Sequence, residues 1–141
     1  MKRLAIVAAL ALGLSTALGA EQAAPAQHAK FIPPVKGTAS IEVIQSPSKH
    51  VGSDMVTLIR VRNTSTGSIN LLKIDEYWYD GSKPVKIVSS SQYAHRKAPI
   101  LPNEIVEITM KSPYNPAMRQ NQMMFTHANG KIDAKSVKAF K

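Results

Sequence analysis

The stretch Met55–Asp80 constrains the fold more than any other part of the chain. Met55-Val56-Thr57-Leu58-Ile59-Arg60-Val61-Arg62 is dense in β-branched and aliphatic residues, and Asn63-Thr64-Ser65-Thr66-Gly67-Ser68 is a polar, glycine-containing turn. Ile69-Asn70-Leu71-Leu72-Lys73-Ile74-Asp75-Glu76-Tyr77-Trp78-Tyr79-Asp80 then returns to β-forming residues. Two such runs around one turn are a strand–loop–strand signal. In the first run Thr57, Ile59 and Val61 share one face, while Val56, Leu58, Arg60 and Arg62 share the other. The two arginines mark the second face as the solvent side. The second run is less regular. Leu72, Ile74 and Trp78 share a parity that Glu76 interrupts; Leu71, Tyr77 and Tyr79 share the other, interrupted by Lys73 and Asp75. Two arrangements satisfy this pattern: a bulge that switches faces near Asp75, or a partly buried acid paired with Arg60 or Arg62 from a neighbouring strand.

The same alternation predicts five more strands. Ala39–Gln45 places Ile41, Val43 and Gln45 on one face and is stopped by Ser46-Pro47-Ser48. Pro84–Ser89 continues across a bend to Ala94. Glu104–Lys111 turns Val106, Ile108 and Met110 inward. Arg119–His127 and Lys131–Phe140 flank Asn129-Gly130, which signals a two-residue hairpin with a type I′ turn. Asn63-Thr64-Ser65 has the form of a glycosylation sequon, although Asn and Ser at a turn are sufficiently explained by local backbone hydrogen bonds. The expectation is an all-β chain, an Ig-like antiparallel β-sandwich of about seven strands. Its core is expected to include Val43, Ile59, Val61, Leu72, Ile74, Trp78, Val106, Ile108 and Met124, with Met110 as further filler.

The N-terminal residues follow a different logic. Lys2 and Arg3 precede an apolar run from Leu4 to Leu14, and Ala17-Leu18-Gly19 fits a small-x-small cleavage pattern, so residues 1–20 read as a secretory signal peptide. Residues 21–37, rich in Ala, Gln and Pro, read as a flexible linker, and residues 38–141 as the domain. After cleavage no transmembrane segment is expected, which places the chain in the periplasm or outside the cell. Cysteine is absent, so the domain relies on burial and sheet hydrogen bonds rather than disulfides. Net charge is +9 for the whole chain; removing Lys2 and Arg3 leaves +7.

The segment Glu76-Tyr77-Trp78-Tyr79-Asp80 followed by Gly81, with Asn63 and its turn upstream, resembles the FxLYD-type Ig-like domains of bacterial exported proteins. Leu101-Pro102-Asn103-Glu104 is similar to the Pro-Gly-Glu turn of that group. The similarity covers Met55 to Met110. Glu76 stands at the family's first aromatic, Trp78 at its leucine, and Asn103 at the turn glycine, where asparagine tolerates a left-handed backbone. The run from Val56 to Lys141 is also similar to small exported proteins of environmental bacteria. The resemblance implies an Ig-like sandwich that works by contact, and it brings no active site.

Chemistry-bearing motifs are sparse. There is no Gly-x-Ser-x-Gly elbow, no phosphate-binding glycine loop, no specific nucleic-acid signature and no cofactor motif. Asp75 and Glu76 are adjacent on a strand and point to opposite faces, so they cannot flank one glycosidic bond. The expected function is therefore a non-enzymatic interaction or accessory module of the cell envelope. Its candidate contact residues are Tyr77, Tyr79 and Lys73, with Arg60 and Arg62, and its partner an envelope protein or anionic polymer. Flat rings suit a glycan, and rings with cations suit single-stranded nucleic acid. Two alternatives stay open: a copper-binding protein using Met118, Met123 and His127, whose thioether and imidazole groups suit copper(I), and a binder of anionic envelope polymer or lipid through the +7 charge.

Overall fold

Alternation along the run before Asn63 builds the central strand of the domain. In the computed structural model, which describes residues 30–141, this is β3 (Asp54–Asn63), with Thr57, Ile59, Val61 and Asn63 buried on its inner face. β3 pairs antiparallel with β1 (Ala39–Gln45) near its C-terminal end, with β2 (Lys49–Val51) near its start, and with β6 (Ile105–Pro113) along its other edge. β1 and β2 are one return strand broken at Pro47. Ser46 N donates to Leu58 O at 2.9 Å, and the Ser48 and Thr57 hydroxyls bond at 2.6 Å. Three residues (46–48) thus face two (57–58), a bulge that lets the prolyl nitrogen avoid the ladder. This break accounts for the eighth strand, where seven were expected.

The second layer is β4 (Lys73–Tyr79) between β5 (Ile87–Ala94) and β7 (Gln120–His127), all antiparallel. β8 (Gly130–Ser136) connects the two layers. It pairs with β7 only at Thr126↔Lys131 and His127↔Gly130, then leaves it to run parallel to β1 from Ala39↔Ile132 to Val43↔Ser136. The result is one curled, mixed, all-β sheet folded into a sandwich-like pair of layers, with no helix among the described residues. The parallel β1–β8 pair departs from the wholly antiparallel expectation.

Between the layers lie Ile41, Val43, Ile59, Val61, Ile69, Leu72, Ile74, Ile100, Ile108 and Met110. Each such side chain contributes about 1.5–3 kcal/mol of burial. Trp78 is buried as expected, and Val106, Met123 and Phe125 are half-buried against the same core. Met124 corrects the expectation: it is 52% exposed. The register Glu76↔Met123 and Ile74↔Phe125 puts the odd-numbered residues of β7 inward, and a one-residue step reverses the face.

Two boundaries also differ. The segment expected as the end of a flexible linker is bonded to the domain from Pro33 onward. Val35 N donates to Ser68 O at 2.9 Å, Ser68 N to Pro33 O at 3.0 Å, and Gly37 N to Asn129 O at 3.1 Å. Residues from Phe31 onward belong to one compact unit. The remainder of the expected linker up to residue 29, and the expected signal peptide, lie outside the described residues. At the other end, β8 stops at Ser136, and the chain turns so that Phe140 lies on Arg60 and Arg62. The hairpin loop is Ala128-Asn129, closed by the His127↔Gly130 pair. Neither loop residue has positive φ, so the turn is not type I′; the left-handed requirement falls on Gly130 itself, at φ +152°.

Candidate contact surface

Alternation on β4 decides what the second layer shows to solvent. Ile74, Glu76 and Trp78 turn inward, leaving Lys73, Asp75, Tyr77 and Tyr79 outward. Neighbouring strands complete the rows: Lys73 lies between Ala94 and Thr126, Asp75 between Gln92 and Met124, Tyr77 between Ser90 and Gln122, and Tyr79 between Ile87 and Gln120. Both tyrosines are half-buried, and the flanking glutamines are exposed. The Tyr79 hydroxyl donates to Gln122 Oε1 at 3.2 Å. At the Lys73 end the face runs into a shallow depression lined also by Tyr93 and Arg96. Sequence reading found the tyrosines and Lys73 but missed Gln92, Gln120, Gln122 and Met124. The signal was Gln-x-Gln-x-Met at alternate positions of β7, legible only once the register shows that this parity faces the tyrosine side.

Arg60 and Arg62 are not part of this surface. β3 and β4 are not neighbours, and the arginines lie on the outer face of the first layer. Arg62 pairs with Glu42 at 2.6 Å and donates to Lys141 O at 2.6 Å. The Phe140 ring packs under both guanidinium groups, 5.4 Å from Arg60 and 5.3 Å from Arg62. They hold the C-terminal segment through cation–π contact with Phe140 and the Arg62 bond to Lys141 O, while the ion pair ties Arg62 to β1.

The acid that interrupted the β4 pattern is buried, as one of the two arrangements required, but not by pairing with arginine. Glu76 is fully buried. Oε2 accepts from Ser112 Oγ at 2.6 Å and Ser91 Oγ at 3.3 Å, and Oε1 from Asn121 Nδ2 at 2.9 Å. Gln45 Nε2 extends the network to Asn121 Oδ1 at 3.2 Å. A carboxylate satisfied by neutral donors from β5, β6 and β7 is a cross-layer tie, and among the described residues no second acid or imidazole hydrogen-bonds it. Glu76→Gln, which keeps size and one accepting oxygen and turns its amide nitrogen to hydroxyls that can accept, is expected to cost about 1 kcal/mol, and Glu76→Ala about 3 kcal/mol, because it orphans three donors and leaves a cavity. Urea denaturation of the two variants reads the difference.

The copper candidates are not brought together. Met118 is buried in the turn before β7, Met123 lies mid-strand facing inward, and His127 ends the strand. Met123 and His127 stand four residues apart along the strand, about 13 Å at strand rise. His127 is also engaged: Nε2 bonds Gly37 O at 2.7 Å and Nδ1 accepts from Asn129 N at 3.4 Å. Among the described residues no three His, Cys, Asp or Glu side chains form a metal-binding group, and no helix is long and apolar enough to cross a membrane.

The sequon asparagine is a packing element. Asn63 is fully buried; its Nδ2 donates to Gly67 O and Ile100 O, both at 2.9 Å, and Oδ1 accepts from Ser65 N at 2.9 Å. Its main chain bonds Glu104 O at 3.1 Å and Asn103 N at 2.7 Å, so the Asn63 turn and the Leu101–Glu104 turn hold each other. Asn103 takes the left-handed conformation at φ +65°. On the loop after β4, hydrogen bonds from the Ser82 hydroxyl and from Lys86 N hold the Asp80 carboxyl below its ordinary range.

No known family model matches the chain, and no curated protein matches it.

Proposed function

We propose that this protein is an exported, Ig-like, non-enzymatic contact module of the cell envelope, and that it engages its partner through the outward face of β5, β4 and β7. The single observation that carries the reading is the exposed lattice around Tyr77 and Tyr79. Tyrosine supplies broad contact area at low conformational cost, and the surrounding amides supply adaptable hydrogen bonds. The Ig-like part of the reading is supported by the strand partition: β6, β3 and β1 in one layer and β7, β4 and β5 in the other, with a buried tryptophan on the strand corresponding to C. Export rests on the Lys2-Arg3 and Leu4–Leu14 pattern.

The test is cosedimentation of the purified chain with washed envelope fragments. The Tyr77→Ala/Tyr79→Ala double variant is expected to lose most of its binding while retaining its melting temperature, because both side chains point outward. An Arg60→Ala variant should bind like the unmodified chain. Equal binding by the double variant would place the contact elsewhere, and no binding by any form would remove the envelope role.

A further inference from the structure

The chemistry of the β5–β4–β7 face is unlike that of the chain as a whole. The chain carries a net charge of +9, yet the two rows at the Tyr79 end of this face hold no formal charge. Tyr77, Tyr79, Ser90, Gln120 and Gln122 occupy them together with Ile87 on the edge strand, and Gln92 stands in the adjoining row. The charged outward residues of β4, Lys73 and Asp75, are confined to one end and are of opposite sign. An anionic polymer would meet no cation within these two rows. A protein partner would find little of the apolar centre that protein interfaces build, since Met124 and Ile87 are the exposed aliphatic groups at the margins.

Carbohydrate fits both properties. Each glutamine amide presents two donors and an acceptor oxygen, which matches a surface of hydroxyl groups that are donors and acceptors at once. The negative faces of the tyrosine rings suit the slightly positive C–H faces of a sugar ring, and outward residues two apart on a strand repeat about every 7 Å. The 3.2 Å bond from the Tyr79 hydroxyl holds Gln122 by its carbonyl oxygen and leaves Nε2 to point at a ligand, so some of the ordering cost is met before binding. We propose that this face binds a neutral, hydroxyl-rich polysaccharide; the inference rests on the contact-module reading and gives the class of its ligand.

The experiment is sedimentation of the purified chain with insoluble neutral β-glucan, α-glucan and mannan, alongside polygalacturonate coupled to beads, each in low and high salt. At least one neutral polymer should bind the chain, with affinity unchanged by salt because no ion pair is involved. Tyr77→Ala/Tyr79→Ala should weaken that binding about tenfold, Gln122→Ala should weaken it by a smaller factor, and Arg60→Ala should leave it unchanged. The proposal is overturned if no neutral polymer binds, if binding survives the double variant, or if only polygalacturonate binds and salt abolishes it. A chain that fails here but still sediments with envelope fragments through Tyr77 and Tyr79 loses the polysaccharide and keeps the contact role. Failure in both experiments removes both.

Discussion

Asn63→Asp is expected to lower the unfolding free energy by about 3–5 kcal/mol at neutral pH, the range for an uncompensated buried charge. The substitution changes almost nothing in size. It replaces an amide nitrogen that donates to Gly67 O and Ile100 O, both at 2.9 Å, with an oxygen that repels both carbonyls. The site is fully buried, so water cannot replace the lost donors. Protonation restores one donor for two acceptors, so the folded-state pKa of the new acid lies above its unfolded value of about 3.9. A group with a raised folded pKa favours the folded state below the unfolded pKa and loses that contribution as pH rises through the folded value. The deficit relative to the unmodified chain should therefore be smallest near pH 4 and grow toward neutrality (about 4 being the unfolded carboxyl pKa). Urea titrations at the two pH values measure it; a deficit independent of pH would mean that the loop opens and hydrates the new side chain.

Gly130→Ala should destabilise by about 2–4 kcal/mol, combining steric overlap with backbone strain. A Cβ on Gly130 would press into the carbonyl oxygen of Gly37 and lie 2.8 Å from its carbonyl carbon. Both obstacles are backbone, so no side chain can rotate away. The residue also has φ +152°, which L-residues rarely adopt. Gly52→Ala separates the two contributions, because φ there is +61° but nothing lies within 4 Å of the added carbon. That control should cost only about 1 kcal/mol. A comparable loss at both glycines would assign the effect to conformation and show that the Gly37 segment yields readily. The bond between His127 Nε2 and Gly37 O at 2.7 Å gives a second readout, since pushing Gly37 away should lengthen that bond and move the His127 Nε2 resonance by NMR.

What could be read in the sequence was what depends on local alternation. Thr57, Ile59 and Val61 declare their face within eight residues, and β3 is built that way. So does Ile108 with Met110 on β6. Met123-Met124 does not, because two adjacent methionines leave either parity plausible and the choice is made by pairing with β4. Glu76 announced a conflict but not its resolution: Ser91, Ser112 and Asn121 come from three strands, and small polar residues leave no periodic trace. Pro33-Pro34 reads as a stiff linker, and its docking rests on backbone bonds, to which side-chain identity is nearly silent. For the contact surface, the tyrosines were visible within one strand. The glutamines were not, since membership in the face is a property of the register between strands.

The parallel alignment of β1 with β8 also sets how the domain bears a pull along its chain. The chain enters β1 at Ala39 and leaves β8 at Ser136, at opposite ends of the five paired positions from Ala39↔Ile132 to Val43↔Ser136. Tension drawn between those two points slides the strands lengthwise, and every bond of the ladder resists together. An antiparallel pair loaded from its open end would instead unzip, each bond breaking in turn. Force transmitted through the backbone from one side of this domain to the other therefore meets the ladder in shear.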